Sequence, residues 1–344
     1  MTLTAWRWLS GFAALACLLA HPAHAADWQI ATAYPVGNFH TENLQRFADE
    51  VAAATGGKVR MTLHANGSLF KMGQIADAVA GGKAQAGEVI LSSLASEAPA
   101  MGIDSVPFLV DGYAQAMQLW RESRGTVEAV LAKRGLKLLY AVPWPPQGLY
   151  ANKAVQRVSS LHGMRMRTYN PATDRIAQLV GAGAVLVQTV DLTAALEAGR
   201  IDTLITSSAT AIDLAPLWKW FPYFYEVNAW LPKNVVFVNR SVFDALDGNT
   251  RETILRLAAE AERRGWKLSE EKSHDYNRKL AEKGTKILAP DPYLVGDFRR
   301  LGETLAREWL RNAGPESLDV LLRYELSRFQ SVATSGRPAS PDGR

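Results

Sequence analysis

Cysteine is all but missing from this 344-residue chain: its one copy, Cys17, sits in an apolar N-terminal stretch. A disulfide framework is thereby excluded, and if that stretch is removed so is a thiol nucleophile. Histidine is scarce as well. Beyond the N-terminal stretch only His40, His64, His162 and His274 occur, and no two have the close helical spacing of a zinc site. No G-x-S-x-G elbow is present, and Gly181 and Gly183 follow a helical pattern and precede a strand pattern, the reverse of a dinucleotide fingerprint. The formal charge is only +4, and the basic residues are dispersed without a long run, so no nucleic-acid footprint is expected. Apolar runs are short too, and none reaches the roughly 18 residues of a membrane span.

What is present is the composition of a globular chain, 48% apolar and 21% charged, long enough to bury two cores. Residues 1–25 read as a secretory leader: Arg7, an apolar stretch from Gly11 to Ala20, the breaker Pro22, and the small residues Ala23 and Ala25 around His24 at the cleavage site. Ala14 and the apolar residues beyond Cys17 do not suit a lipid-anchor signal. The mature chain is expected to begin near Ala26, in the periplasm, with Arg7 gone and a charge near +3.

From there strand and helix patterns alternate. Trp28 to Ala33 reads as a strand and Thr41 to Ala54 as a helix, with Leu44, Phe47, Ala48, Val51 and Ala52 on one face. Val59, Met61 and Leu63 alternate as a strand, a helix runs through Ile75 and Val79, and Ala86 to Leu91 is a further strand. A helix from Tyr113 to Lys133 leads into the strand Leu136 to Val142, which Pro143, Pro145 and Pro146 end. A second series follows, with Met164 to Arg167, Val185 to Val187 and Ile201 to Ile205 as strands, Ala172 to Val180 as a helix, and Asp191 as the cap of another helix. The fold class is therefore α/β in two similar lobes, each with a mostly parallel sheet. The divisions expected are 26–150 and 151–236 for the first segments of lobes I and II, then 237–284 for a strand and long helix bridging the lobes. Residues 285–330 would be a helical segment packing on the lobes, and 331–344, polar and rich in Pro and Gly, a disordered tail. The helix patterned from Thr250 to Lys283 would span about 50 Å.

Several residues carry potential chemistry. Arg167 has the planar fork that holds a carboxylate by two hydrogen bonds, and Arg165 shares its sheet face if both lie in the strand; a salt bridge or a solvated strand-end charge is the alternative for Arg167. Asn170 precedes Pro171 and suits a helix cap as well as a cleft contact. Glu88 is an acid inside an apolar run, set either to receive a ligand or to pair with an arginine, and Ser92 and Ser93 are hydroxyls beside it. Tyr34, Phe39, Phe70, Trp144, Tyr169, Trp218 and Trp230 fall at strand ends or connections, where α/β sheets present ligand crevices. Core or hinge packing is the expectation for most of them. Trp144, in its Pro-flanked loop, is the exception and suits a fixed stacking platform.

The stretch LHGMRMRTYN, residues 161–170, resembles the signature of the DctP family, the substrate-binding proteins of tripartite ATP-independent periplasmic (TRAP) transporters. The segments GNFHTENLQRFADEVAAATGGKV, SVPFLVDGYAQAM, VDLTAALEAGRIDTL and VVFVNRSVFDAL follow the same family, so the resemblance covers most of the mature chain. It implies two α/β lobes of the periplasmic-binding-protein kind, a long connecting helix and a cleft that closes like a hinge over a small organic anion. It places the carboxylate-clamping guanidinium at Arg167 and a polar cleft residue at Asn170. Where many relatives have a second arginine this chain has Gln147, hydroxyls at Thr206 and Ser207 replace a frequent asparagine, and Ala33 beside Tyr34 replaces a polar contact. One cation with neutral partners suits a monocarboxylate, and the aromatic candidates suit a ligand with an apolar or cyclic body. The resemblance further implies delivery of the ligand to membrane permease subunits; a monomer is expected, with no cofactor and no metal site assigned. A sensor uncoupled from transport, and less so a secreted hydrolase, remain the other functions open at this point.

Overall fold

The computed structural model describes residues 26–110 and 112–335; the leader, residues 1–25, and residues 336–344 of the expected tail lie outside the described residues. In chain order the elements are β1 (Ala26–Thr32), α1 (Phe39–Ala54), β2 (Val59–His64), α2 (Met72–Ala80), β3 (Ala86–Ile90), α3 (Tyr113–Lys133) and β4 (Leu136–Pro143). There follow β5 (Gly148–Ala151), β6 (Arg165–Thr168), α4 (Pro171–Leu179), β7 (Gly183–Leu186), α5 (Leu192–Glu197), β8 (Thr203–Thr206) and β9 (Tyr223–Tyr225). The chain closes with β10 (Lys233–Asn239), α6 (Arg240–Asp244), α7 (Gly248–Glu282), β11 (Lys286–Leu288), α8 (Pro292–Asn312) and α9 (Gly314–Ser335). Residues 331–335 thus continue a helix instead of beginning the tail.

Two sheets define two lobes. Lobe I has the strand order β2-β1-β3-β10-β4, lobe II the order β11-β9-β5-β8-β6-β7. Both sheets are mixed, where a mostly parallel pattern was expected: β10 runs antiparallel to β3 and β4, and β5 antiparallel to β8 and β9. The cause is the path of the chain. β5 enters lobe II directly from lobe I, and β10 returns the other way, so each joins its sheet from the far end without a local βαβ crossover.

The two crossings lie side by side and hydrogen-bond to each other, with Trp144 N donating to Pro232 O at 2.8 Å, Gln147 N to Trp230 O at 2.9 Å and Ala229 N to Gln147 O at 2.9 Å. This ribbon joins the two lobes. At its lobe I end Lys233 and Asp104 form a buried ion pair 3.3 Å apart. A third connection is α7, 35 residues long, which packs on α1 and β4 in lobe I and on β11 in lobe II, bridging the lobes as its length implied. Its approach to β4 is close at Gly265, where a Cβ would lie 2.3 Å from Val142.

Side-chain alternation explains the cores. Along β5, Leu149 and Ala151 enter one apolar cluster of lobe II and Tyr150 the cluster on the opposite face. The C-terminal helices then cover both lobes, α8 through Leu294, Phe298 and Leu305 on lobe II and α9 through Val320 and Tyr324 on lobe I. Full burial of each such side chain contributes roughly 1.5–3 kcal/mol. Among the described residues no helix is long and apolar enough to cross a membrane.

Candidate functional site

The lobe II wall starts from β6, whose two arginines meet opposite surroundings. Arg165, at the outer end, is exposed and binds Asp202 through Nε at 2.8 Å and Nη2 at 2.6 Å. Arg167, two residues on, is only 3% exposed. Its Nε donates to Val187 O at 3.0 Å, its guanidinium lies 4.5 Å from the centre of the Tyr169 ring, and no Asp or Glu among the described residues pairs with it. Burial lowers its pKa to about 10, so it stays a cation at neutral pH. Burying an unpaired charge costs several kcal/mol. A structural salt bridge, the alternative open from sequence, is not what holds this side chain.

The lobe I wall is aromatic and neutral on its surface. Tyr34 and Trp144 stand 5.1 Å apart between ring centres, backed by His40, whose ring lies 4.3 Å from Trp144 and 4.1 Å from Phe39. Both donate to one oxygen: Tyr34 Oη to Asn234 Oδ1 at 3.2 Å and Trp144 Nε1 to the same atom at 2.8 Å. Behind Asn234 lies Glu88, which accepts from Thr32 Oγ1 at 2.6 Å. Sheet register brings these together, since Glu88 is cross-strand from Thr32 on β1 and from Val236 on β10, and Asn234 precedes Val236 by one full pleat. Burial raises the Glu88 pKa to about 7, opposed by the Thr32 hydroxyl and the nearby Asn234 amide. That amide nitrogen lies beside Glu88 without reaching hydrogen-bond geometry. His40 is fully buried, with no hydrogen bond to either ring nitrogen and a pKa lowered by desolvation, and its ring approaches Glu88 at 3.7 Å.

Between the walls is a small cavity, with about 30 Å³ of room for water centres. Tyr34, Trp144, Gln147, Arg167, Tyr169 and Thr206 line it together, six of the residues singled out from sequence. Gln147 spends its Nε2 on Pro145 O at 2.8 Å, and Thr206 donates to Thr210 Oγ1 at 2.8 Å. Glu88, Ser92, Asn170 and Ser207 do not line it. Glu88 faces neither the cavity nor an arginine, because its strand register points it at Thr32 and Asn234. Asn170 turns its carbonyl oxygen to cap α4, accepting from Thr173 N at 2.9 Å, and its amide to Ser92 Oγ at 3.0 Å, so this pair ties the lobes together outside the cavity. Ser207 sits behind Thr210, 3.4 Å from its hydroxyl. Asp191 occupies the cap position of α5 without making a side-chain capping bond.

The sequence reading missed Gln188, Thr189 and Thr210, which line the cavity with Tyr169. These sit in turns with no local pattern to mark them. Asn234, by contrast, left a trace, as a polar residue at the head of the apolar strand β10. A further bond between lobes lies beyond the cavity, where Asp213 of the turn after β8 accepts from Tyr276 Oη at 2.6 Å and from Asn38 Nδ2 at 3.3 Å. Among the described residues no cluster of His, Cys, Asp or Glu is fit to hold a metal ion.

Two mixed α/β lobes joined by paired crossing segments, with Arg167 the one cation lining the cavity between them among the described residues, have the form of a solute-binding protein. Residues 30–312 match the family model described as DctP, bacterial extracellular solute-binding protein family 7, and the chain belongs to that family. It is 41% identical to DctP6 of Bordetella pertussis, an extracytoplasmic solute receptor binding pyroglutamic acid, with 87% of this chain and 99% of that one covered at a TM-score of 0.85. A TRAP solute-binding protein from a marine metagenome, specific for pyroglutamate, is 34% identical at a TM-score of 0.85, covering 88% of this chain and 99% of that one. A solute-binding protein of Albidiferax ferrireducens is 24% identical over 257 residues, 73% of this chain and 75% of the relative. The resemblance read from residues 161–170 and the two-lobe fold with its long helix are thus borne out.

Proposed function

We propose that this protein captures a small cyclic monocarboxylate, with pyroglutamate the first candidate, in the periplasm and hands it to TRAP permease subunits as a receptor without catalytic turnover. The observation that carries this reading is Arg167, a buried guanidinium with no acidic partner among the described residues, facing a cavity whose other walls are neutral. A ligand carboxylate supplies the missing counter-charge, and the pair gains strength as closure excludes water. The single cation favours one carboxylate over two. The small cavity suits a compact body, and the Tyr34 and Trp144 rings line it with apolar surface. Kinship supports the choice, since two relatives at 41% and 34% identity bind pyroglutamate.

Titration calorimetry and thermal melts with pyroglutamate, its amide, and aliphatic, aromatic and sugar acids test the proposal. Tight binding of pyroglutamate with none of its amide is the expected result. Equal binding of acid and amide, or no binding of any acid, overturns it.

A further inference from the structure

Resting on that reading, we infer that the Asn234 network makes Tyr34 Oη an acceptor-only group toward the cavity, so the site selects carboxylates that carry an N–H or O–H donor next to the carboxyl-bearing carbon. Trp144 fixes the polarity of this wall. An indole N–H donates and never accepts. The side-chain atom of Asn234 at 2.8 Å from it must therefore be the oxygen, whichever way an amide is first placed. Asn234 Nδ2 then lies beside Glu88, whose carboxylate favours a donor there. With the oxygen fixed, the Tyr34 hydroxyl at 3.2 Å from it can only be the donor. Its one proton is committed inward. Burial and the charge of Glu88 both hold that proton on the phenol, so ionisation does not free the group.

The outward lone pair of Tyr34 Oη consequently asks the ligand for a hydrogen. Tyr34 lines the same cavity as Arg167 and lies within its electrostatic reach, which places this acceptor beside the carboxylate end of the ligand. A lactam N–H adjacent to the carboxyl-bearing carbon meets it. A ring ether or ester oxygen at that position sets lone pair against lone pair, and a methylene leaves the buried acceptor unsatisfied. The polarity survives titration of Glu88, because it is anchored by Trp144, whose N–H has no second state. His40 packs its ring 4.3 Å from Trp144 and approaches Glu88 at 3.7 Å, and Tyr140 feels the charge of Glu88, yet the indole N–H stays with Asn234 Oδ1.

The test compares pyroglutamate with its lactone counterpart, ring oxygen in place of N–H, and with its cyclopentanone counterpart, CH2 in place of N–H, by calorimetry on the wild-type protein. Both analogues are expected to bind roughly 10- to 100-fold more weakly, the worth of one buried hydrogen bond left unmade. The Tyr34→Phe variant removes the acceptor and is expected to bring the three ligands within a few-fold of one another, with acid-over-amide selectivity intact. Analogues that bind wild type as tightly as pyroglutamate overturn the inference while the carboxylate reading stands. Loss of all acid binding overturns both. Should Tyr34→Phe fail to fold, Asn234→Asp, which keeps an acceptor for both donors, must retain the wild-type preference, and an inverted preference there refutes the network.

Discussion

The two ends of β6 carry the same side chain two residues apart and put it to opposite uses. Arg165 is half exposed and held by two hydrogen bonds to Asp202, so its charge is neutralised within the fold. Arg167 is buried, stacked on Tyr169 and short of a counter-charge among the described residues. The difference teaches that neither residue type nor strand face marks a ligand-binding cation. What sets Arg167 apart is a charge buried without a counter-charge among the described residues, and its proposed role as the carboxylate clamp rests on that.

The largest effect expected from breaking this comparison is at Arg167. Arg167→Met should weaken pyroglutamate binding by about 2–5 kcal/mol by calorimetry. The ligand-free variant should melt no lower than wild type, because an unpaired buried charge has been replaced by an apolar chain of similar length. Unchanged affinity would remove Arg167 from the site.

Glu88 sharpens the contrast from the acidic side, as a buried carboxyl without a basic partner. Its pKa is raised from 4.5 to about 7, so the folded state holds a proton that the unfolded state releases, and stability is lost as pH rises across that window. The loss is on the order of 3 kcal/mol. His40 acts in the opposite direction, since its lowered pKa makes the fold less stable as pH falls below the usual histidine range. Glu88→Gln should therefore flatten the decline between pH 5 and pH 8 in urea unfolding, and an unchanged slope would show that Glu88 is ionised throughout.

The smallest effect belongs to the outer end of β6. Arg165 lowers the Asp202 pKa through hydrogen bonds, so their contribution is present at neutral pH and fades as pH falls below the carboxylate range. Arg165→Ala should cost little stability, less still at high salt, and leave pyroglutamate affinity unchanged. A loss of affinity matching that of Arg167→Met would erase the distinction between the two positions.

Much of this was legible in advance because it is local. The strand and helix bounds from β1 to β4 follow from apolar periodicity, the capping of α4 from Asn170 and Pro171, and the reach of α7 from an unbroken helical pattern. Arg167, Trp144, Tyr34, Gln147 and Thr206 were found from residue chemistry, loop rigidity and family resemblance, and the fold brings all five to one cavity. Glu88, Ser92, Asn170 and Ser207 lie nearby in sequence or space but face elsewhere, since a pleat or a cap decides direction and composition does not. The antiparallel places of β5 and β10 were hidden for a related reason, being set by crossings between lobes.

By itself, then, the sequence determined the alternation of elements and the two-lobe class, both properties of spacing and residue type, and offered Arg165 and Arg167 as candidate cations. Tertiary structure alone decided which arginine of the pair goes unpaired, because Asp202 reaches only the outer one. It also decided the polarity of the opposite wall, because a proton's direction depends on which groups meet, and Tyr34, Trp144, Glu88 and Asn234 meet only when the returning strand β10 is laid between β3 and β4.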